Sequence, residues 1–154
     1  MTQHLDALRH VADASPDARC GSALRSRLEL AHKAGLIRRD GDVLYGALTE
    51  AGVPALRAAE EATLGDCPWC TGILDIDEVE CAAPYGGMPV MWAGTAVRCG
   101  LCEMQGPVAT SCNDEGLRDM APNGEAGEIV RAARAWRAVF PADARRAREL
   151  GAGQ

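Results

Sequence analysis

Four cysteines carry the most specific chemistry in this sequence. Cys67-Pro-Trp-Cys70 and Cys99-Gly-Leu-Cys102 are two Cys-x-x-Cys pairs with 28 residues between them. A two-residue gap lets both sulfurs of a pair face one ion, with backbone amides turned toward the thiolates. Two such pairs close a tetrahedron, the geometry of structural zinc. Pairs of this kind are usually separated by about 15–20 residues. The Pro- and Gly-rich stretch Ala83–Gly94 reads as a loop that accounts for the excess. Four ligands saturate the ion and leave no open position for a reacting water, so the expectation is one structural Zn2+ per chain and no metal-assisted hydrolysis. The competing reading, a redox dithiol, would require a βαβ setting; here Gly72 and a strand follow Cys70.

Little else in the chain could do chemistry. Cys20, Cys81 and Cys112 read as small buried hydrophobes; Cys81 and Cys112 are close enough in sequence to stand in for a ligand. His4, His10 and His32 are scattered, without metalloprotease spacing, and Ser22 and Ser26 lack a catalytic context. There is no phosphate-cradling glycine loop. No enzyme is expected.

These cysteines must be positioned by a chain of 154 residues with one Phe, two Tyr and three Trp, and with much of its apolar content in alanine. Alanine buries little area, so such a core is thin. Two parts of roughly 60–90 residues would each need a metal, a partner or well-formed helices. The first part reads as helices followed by a hairpin. Leu5, Leu8, Val11 and Ala12 recur at helical spacing, and Leu24, Leu28 and Ala31 mark a second helix over about 21–34 that Gly35 caps. Leu36-Ile37 begins a strand, Arg39–Asp42 is a turn, and Val43–Tyr45 returns. Thr49 is placed to cap a third helix ending near Leu64. In the cysteine segment Leu74-Asp75-Ile76-Asp77 alternates as a half-buried strand does, and Thr95–Arg98 is a second short strand. The last helix, about 125–140, presents Ala126, Ile129, Ala133, Trp136 and Phe140 on one face, with Arg131, Arg134 and Arg137 off it.

The fold class that follows is α+β. Residues 1–64 form a winged-helix-like domain, 65–140 a four-cysteine zinc ribbon with a packed C-terminal helix, and 141–154 a polar tail. The order helix, helix, Gly-Leu-Ile, hairpin, Leu-Thr-Glu-Ala-Gly, helix resembles winged-helix proteins over roughly residues 4–62. That resemblance implies a nucleic-acid face, with Arg19, Arg25, Arg27 and Lys33 near a groove and Arg38 and Arg39 on the wing.

The cysteine segment and the final helix resemble the Lar-type restriction alleviation proteins of phages and prophages. The matching residues are Cys67-Pro68-Trp69-Cys70-Thr71-Gly72, Cys99-Gly100-Leu101-Cys102, Gln105-Gly106-Pro107-Val108 and the helix with Ala133 and Trp136. In that pattern Trp136 should lie across the ribbon and cover Ile73, Ile76 and Val97. The resemblance implies a non-enzymatic protein that binds a host protein to modulate DNA restriction or another defence. The alternative is a winged-helix transcriptional regulator with a zinc-stabilised C-terminal domain.

Charge favours the first of these. The net charge is −6; residues 63–112 hold six acids against Arg98 alone, whereas residues 1–62 are nearly balanced. A protein that grips phosphates usually shows a basic face, and the metal segment is the reverse. No apolar run reaches the roughly 18 residues needed to span a membrane, and the N-terminus lacks the apolar region of a signal peptide. Together with an odd number of cysteines, this leads to the expectation of a cytoplasmic protein, in the host cytoplasm if phage-encoded.

Overall fold

A computed structural model describes residues 3–13, 22–40, 44–85, 87–111 and 124–141. Among them lie four helices and two antiparallel hairpins, in the order α1 (Leu5–Asp13), α2 (Ser22–Lys33), β1 (Ile37–Asp40), β2 (Leu44–Leu48), α3 (Gly52–Leu64), β3 (Leu74–Tyr85), β4 (Met88–Cys99) and α4 (Gly124–Val139). The class is α+β, as expected.

The helices form where apolar residues recur at three- and four-residue spacing. On α1, Leu5, Leu8, Val11 and Ala12 are all buried. At the end of α2, the Gly35 N–H bonds to the His32 carbonyl at 2.9 Å and the Leu36 N–H to the Ala31 carbonyl at 3.0 Å. Gly35 sits at φ 77°. This is the Schellman arrangement, and it turns the chain into β1. β1 and β2 then pair with Ile37 opposite Leu48 and Arg38 opposite Ala47.

Thr49 and Gly52 lock the next junction. The Thr49 hydroxyl donates to the Gly35 carbonyl at 2.6 Å and accepts the Gly52 N–H at 3.1 Å. Gly52 has no room for a side chain, since a Cβ there would stand 2.1 Å from the Leu36 carbonyl oxygen. The Leu-Thr-Glu-Ala-Gly phrase is thus a clamp between the α2 exit and the α3 entry. Pro54 falls in the first turn of α3, where no backbone donor is required.

The second hairpin is longer than expected. β3 and β4 pair without interruption from Leu74↔Cys99 to Tyr85↔Met88, so the stretch Ala83–Gly94, read as a loop, is mostly ladder. Each strand of a two-stranded ribbon has an open edge, so Pro84 and Pro89, paired with each other, need not donate into the ladder. Gly87, at φ 81°, supplies the left-handed conformation that a tight reversal requires.

One hydrophobic cluster unites these parts. It runs from Leu8, Val11, Ile37 and Leu56 through Leu64, Leu74, Ile76 and Val97 to Ile129 and Trp136. α4 packs on α1, α3 and β4. For that reason Val130 and Ala132 are buried as well as Ala126, Ile129, Ala133 and Trp136 of the face expected from the sequence, while Phe140, just past the helix, is half-buried. A buried ion triad joins the same three helices. Glu60 on α3 is 0% exposed and accepts Arg9 of α1 at 2.5 and 2.9 Å and Arg137 of α4 at 2.5 Å. Burial pushes the Glu60 carboxyl up, but the hydrogen bonds from Arg9 and Arg137 outweigh it and hold the group below the usual carboxylate range.

No helix among the described residues is long and apolar enough to cross a membrane.

Candidate metal centre

The two Cys-x-x-Cys pairs lie in two turns of nearly the same backbone form. In the first, the Cys67 N–H donates to the Gly72 carbonyl at 2.8 Å and the Thr71 N–H returns to the Cys67 carbonyl at 2.9 Å. In the second, the Cys99 N–H donates to the Met104 carbonyl at 2.8 Å and the Glu103 N–H returns to the Cys99 carbonyl at 3.1 Å. The residue after each second cysteine has positive φ, 60° at Thr71 and 61° at Glu103. A β-branched residue such as Thr is uncommon there, and the Thr71 hydroxyl donates to the Cys70 carbonyl at 2.6 Å. Two unrelated stretches have therefore been bent into one shape at a local cost.

The ribbon brings the turns together. Leu74 pairs with Cys99, Asp66 bridges to Ile73, and the Gly100 N–H donates to the Ile73 carbonyl at 3.2 Å. As a result the sulfurs of Cys67, Cys70, Cys99 and Cys102 all lie within 4.8 Å of one another. Cys67 to Cys102 is 3.7 Å and Cys70 to Cys99 is 3.3 Å. Around a tetrahedral ion with metal–sulfur bonds of about 2.3 Å, sulfurs stand about 3.8 Å apart. All four cysteines are free, and Cys67 and Cys99 are buried. Four sulfurs at these separations could hold a metal ion, and they come from the four positions marked in the sequence.

Backbone amides face two of the sulfurs. The Gly72 N–H points at Cys70 Sγ and the Leu101 N–H at Cys99 Sγ, each at 3.4 Å. The Cys99 thiol is drawn down to about 6, first by the Cys102 backbone N–H, against burial and with help from the Leu101 N–H. At Cys70 the Gly72 N–H pulls downward, but the neighbouring thiols, led by Cys99, and burial outweigh it and push the group up to about 12. Sulfurs this close cannot all ionise without a cation between them.

Gly72 has a role beyond following the pair. A Cβ there would stand 2.9 Å from Leu101 Cβ, 3.0 Å from Cys99 Sγ and 3.2 Å from Cys70 Sγ. The cage closes because this position has no side chain. The sequence signal was the glycine two residues after Cys70, but its contact with the second pair is visible only in three dimensions.

The other marked residues lie elsewhere along the fold or fall outside the described residues. Cys81 lies on β3 opposite Trp92, while Cys20 and Cys112 fall outside the described residues. His32 is engaged through Nδ1 with the Ile37 carbonyl at 2.9 Å. Of the basic residues, Arg25, Arg27 and Lys33 are exposed on α2, and Arg38 and Arg39 are exposed on β1. Arg27 is ion-paired with Asp6. Arg19 lies outside the described residues.

Trp136 is fully buried at the base of the ribbon, with Ile76 and Val97 in the same cluster. Ile73 is not under it, being 75% exposed. Leu74 and Ile76 take the buried face of the ribbon, and alternation along the strand leaves Ile73 on the open one. Trp136 instead packs against Phe140, tilted, at 4.5 Å between ring centroids, and Phe140 makes a T-shaped contact with Trp69 of the first turn at 4.8 Å. This aromatic chain ties α4 to the cysteine turns.

No family model, no curated protein and no solved structure matches the chain.

Proposed function

We propose that this chain is a non-enzymatic binding protein whose ribbon is ordered by one structural zinc ion on Cys67, Cys70, Cys99 and Cys102. The observation that carries the reading is four sulfurs within 4.8 Å of one another, supplied by two turns of matching backbone shape. Four sulfur donors suit a thiophilic ion, and structural zinc is commonly held by four cysteines. Four thiolates leave such an ion no open position for a reacting water. What the site supplies is order: metal binding of this kind contributes roughly 10–16 kcal/mol of apparent free energy coupled to folding. It would fix the two cysteine turns to each other at the end of a ribbon whose Leu74, Ile76 and Val97 already join the common core.

The acid excess of residues 63–112 points the binding role toward a basic protein surface. The likeness to Lar-type proteins suggests a host DNA-handling enzyme as the class of partner. Thermal unfolding of the full chain with and without a strong zinc chelator tests the metal reading. Chelation should lower the midpoint by well over 10 °C and zinc should restore it; an unchanged melt would refute a structural metal.

A second reading, a winged-helix DNA binder, draws on the exposed Arg25, Arg27, Lys33, Arg38 and Arg39 along α2 and β1. Gel shifts with duplex DNA at low salt distinguish it, since phosphate contacts would give a steep loss of binding as salt rises.

A further inference from the structure

We propose that the outer surface of the two cysteine turns is a docking face for a basic protein segment carrying an apolar anchor. The proposal rests on the reading of the chain as a binding protein and adds the surface and the chemistry of its partner.

The two most exposed of the large apolar side chains among the described residues lie at this end of the ribbon. Ile73 is 75% exposed and Leu101 is 71% exposed. Their backbones adjoin: the Gly100 N–H bonds to the Ile73 carbonyl, and Leu101 Cβ lies over Gly72. Trp69 occupies in the first turn the position that Leu101 occupies in the second, and is 44% exposed with a T-shaped contact to Phe140. A metal cage asks nothing apolar of Ile73 or Leu101; polar residues there would close the turns equally well. A single exposed apolar residue needs no explanation, but three on two adjoining turns offer an apolar anchor a place to bind.

Acids rim the same surface. Asp66 pairs directly with Ile73. The Asp75 carboxylate lies beside Gly100, 3.6 Å from where a Cβ would stand. Glu103 follows Leu101 by two residues and is exposed. Arg98, opposite Asp75 in the ladder, is the single basic residue of residues 63–112. Four thiolates around a divalent ion add a formal excess of about two negative charges just beneath. An apolar centre within an acidic rim fits an apolar side chain flanked by Arg or Lys. The same field repels nucleic acid.

The test uses the full zinc-loaded chain and a fluorescent synthetic amphipathic helix with leucines on one face and Lys/Arg on the other. Binding is followed by anisotropy, with zinc content measured for every variant. The expected result is saturable binding, weakened at least tenfold by the double variant Ile73→Ser/Leu101→Ser at unchanged zinc content. Asp66→Asn/Glu103→Gln should lower the affinity severalfold and flatten its salt dependence. A control helix with serines in place of leucines should bind much more weakly. If the probe binds the Ile73→Ser/Leu101→Ser variant as tightly as the parent, this face is the wrong surface, while the chain stands as a binding protein. If the zinc-loaded chain does not bind the basic helix at all, both the face and the choice of a basic partner are overturned. A chain without zinc would instead defeat the metal reading.

Discussion

Gly106 presses against the ring of Trp136: a Cβ on Gly106 would stand 2.7 Å from Trp136 Cε3 and 3.4 Å from Cζ3. Gly106 also donates its N–H to the Val97 carbonyl at 2.8 Å, so the strand-like segment after the second cysteine turn is held between β4 and α4. The Gly-Pro phrase that follows the ribbon in sequence is therefore a packing device, in which the glycine admits the indole.

Trp136→Ala should cost about 3–5 kcal/mol, because it empties a fully buried site at the junction of α4 and the ribbon. Trp136→Phe should cost much less. The indole Nε1 finds no hydrogen-bond partner among the described residues, and removing an unsatisfied buried donor offsets part of the lost volume. Urea unfolding of the two variants measures both. Equal losses would place the tryptophan's contribution in its polar atom and contradict the packing.

Gly52→Ala should destabilise by about 3 kcal/mol, at the upper end of overpacking costs, since its obstacle is a backbone carbonyl that cannot swing away. Gly35→Ala, which meets nothing within 4 Å but sits at φ 77°, should cost only about 1 kcal/mol. The comparison separates a steric clash from a conformational penalty in the same clamp, and a melt series on the two variants reads it out.

The Arg9–Glu60–Arg137 triad makes stability depend on pH. The Glu60 carboxyl is held below its ordinary value of 4.5 in the folded chain. Its contribution is therefore present above the unfolded value and is lost as pH falls through the lower, folded one. Glu60→Gln should remove that contribution. It should cost about 1–3 kcal/mol at neutral pH, less than stranding a fully buried charge, because both arginines keep access to water. The difference between parent and variant should shrink as pH drops below about 4.5. A difference that stays constant down to pH 3 would show that the charge of Glu60 is immaterial.

Gly72→Ala should weaken zinc binding by at least about tenfold, as expected when a close neighbour of the ligands is forced to move. The added methyl would push against Cys70 Sγ, Cys99 Sγ and Leu101. Competition with a chromophoric chelator gives the affinity. Gly100→Ala, where a Cβ would find open space apart from Asp75 at 3.6 Å, is the matched control and should bind as the parent does.

Much of this was legible along the chain because it was local. Helical spacing marked Leu5, Leu8 and Val11, Gly35 marked a helix end, and the two-residue gaps between cysteines marked four convergent sulfurs. What escaped was set by partners distant in sequence. The composition of Ala83–Gly94 suggested a loop, yet Pro84 and Pro89 are tolerated opposite each other on a ribbon whose strands each have a free edge. Arg137 reads as off the apolar face of α4, and only the packing of α4 on α1 and α3 shows that it grips Glu60 across 77 residues of chain. Ile73 was expected under Trp136 because it is apolar and adjacent to the strand; with Leu74 and Ile76 on the buried face, alternation puts it on the other.

The most direct measurement is the metal content of the purified full chain, taken by elemental analysis beside the Cys67→Ser and Cys99→Ser variants. One zinc per chain in the parent, and loss of both metal and ribbon structure in each variant, is the expected result. A parent chain that carries no metal and keeps its fold after exhaustive chelation would contradict the account.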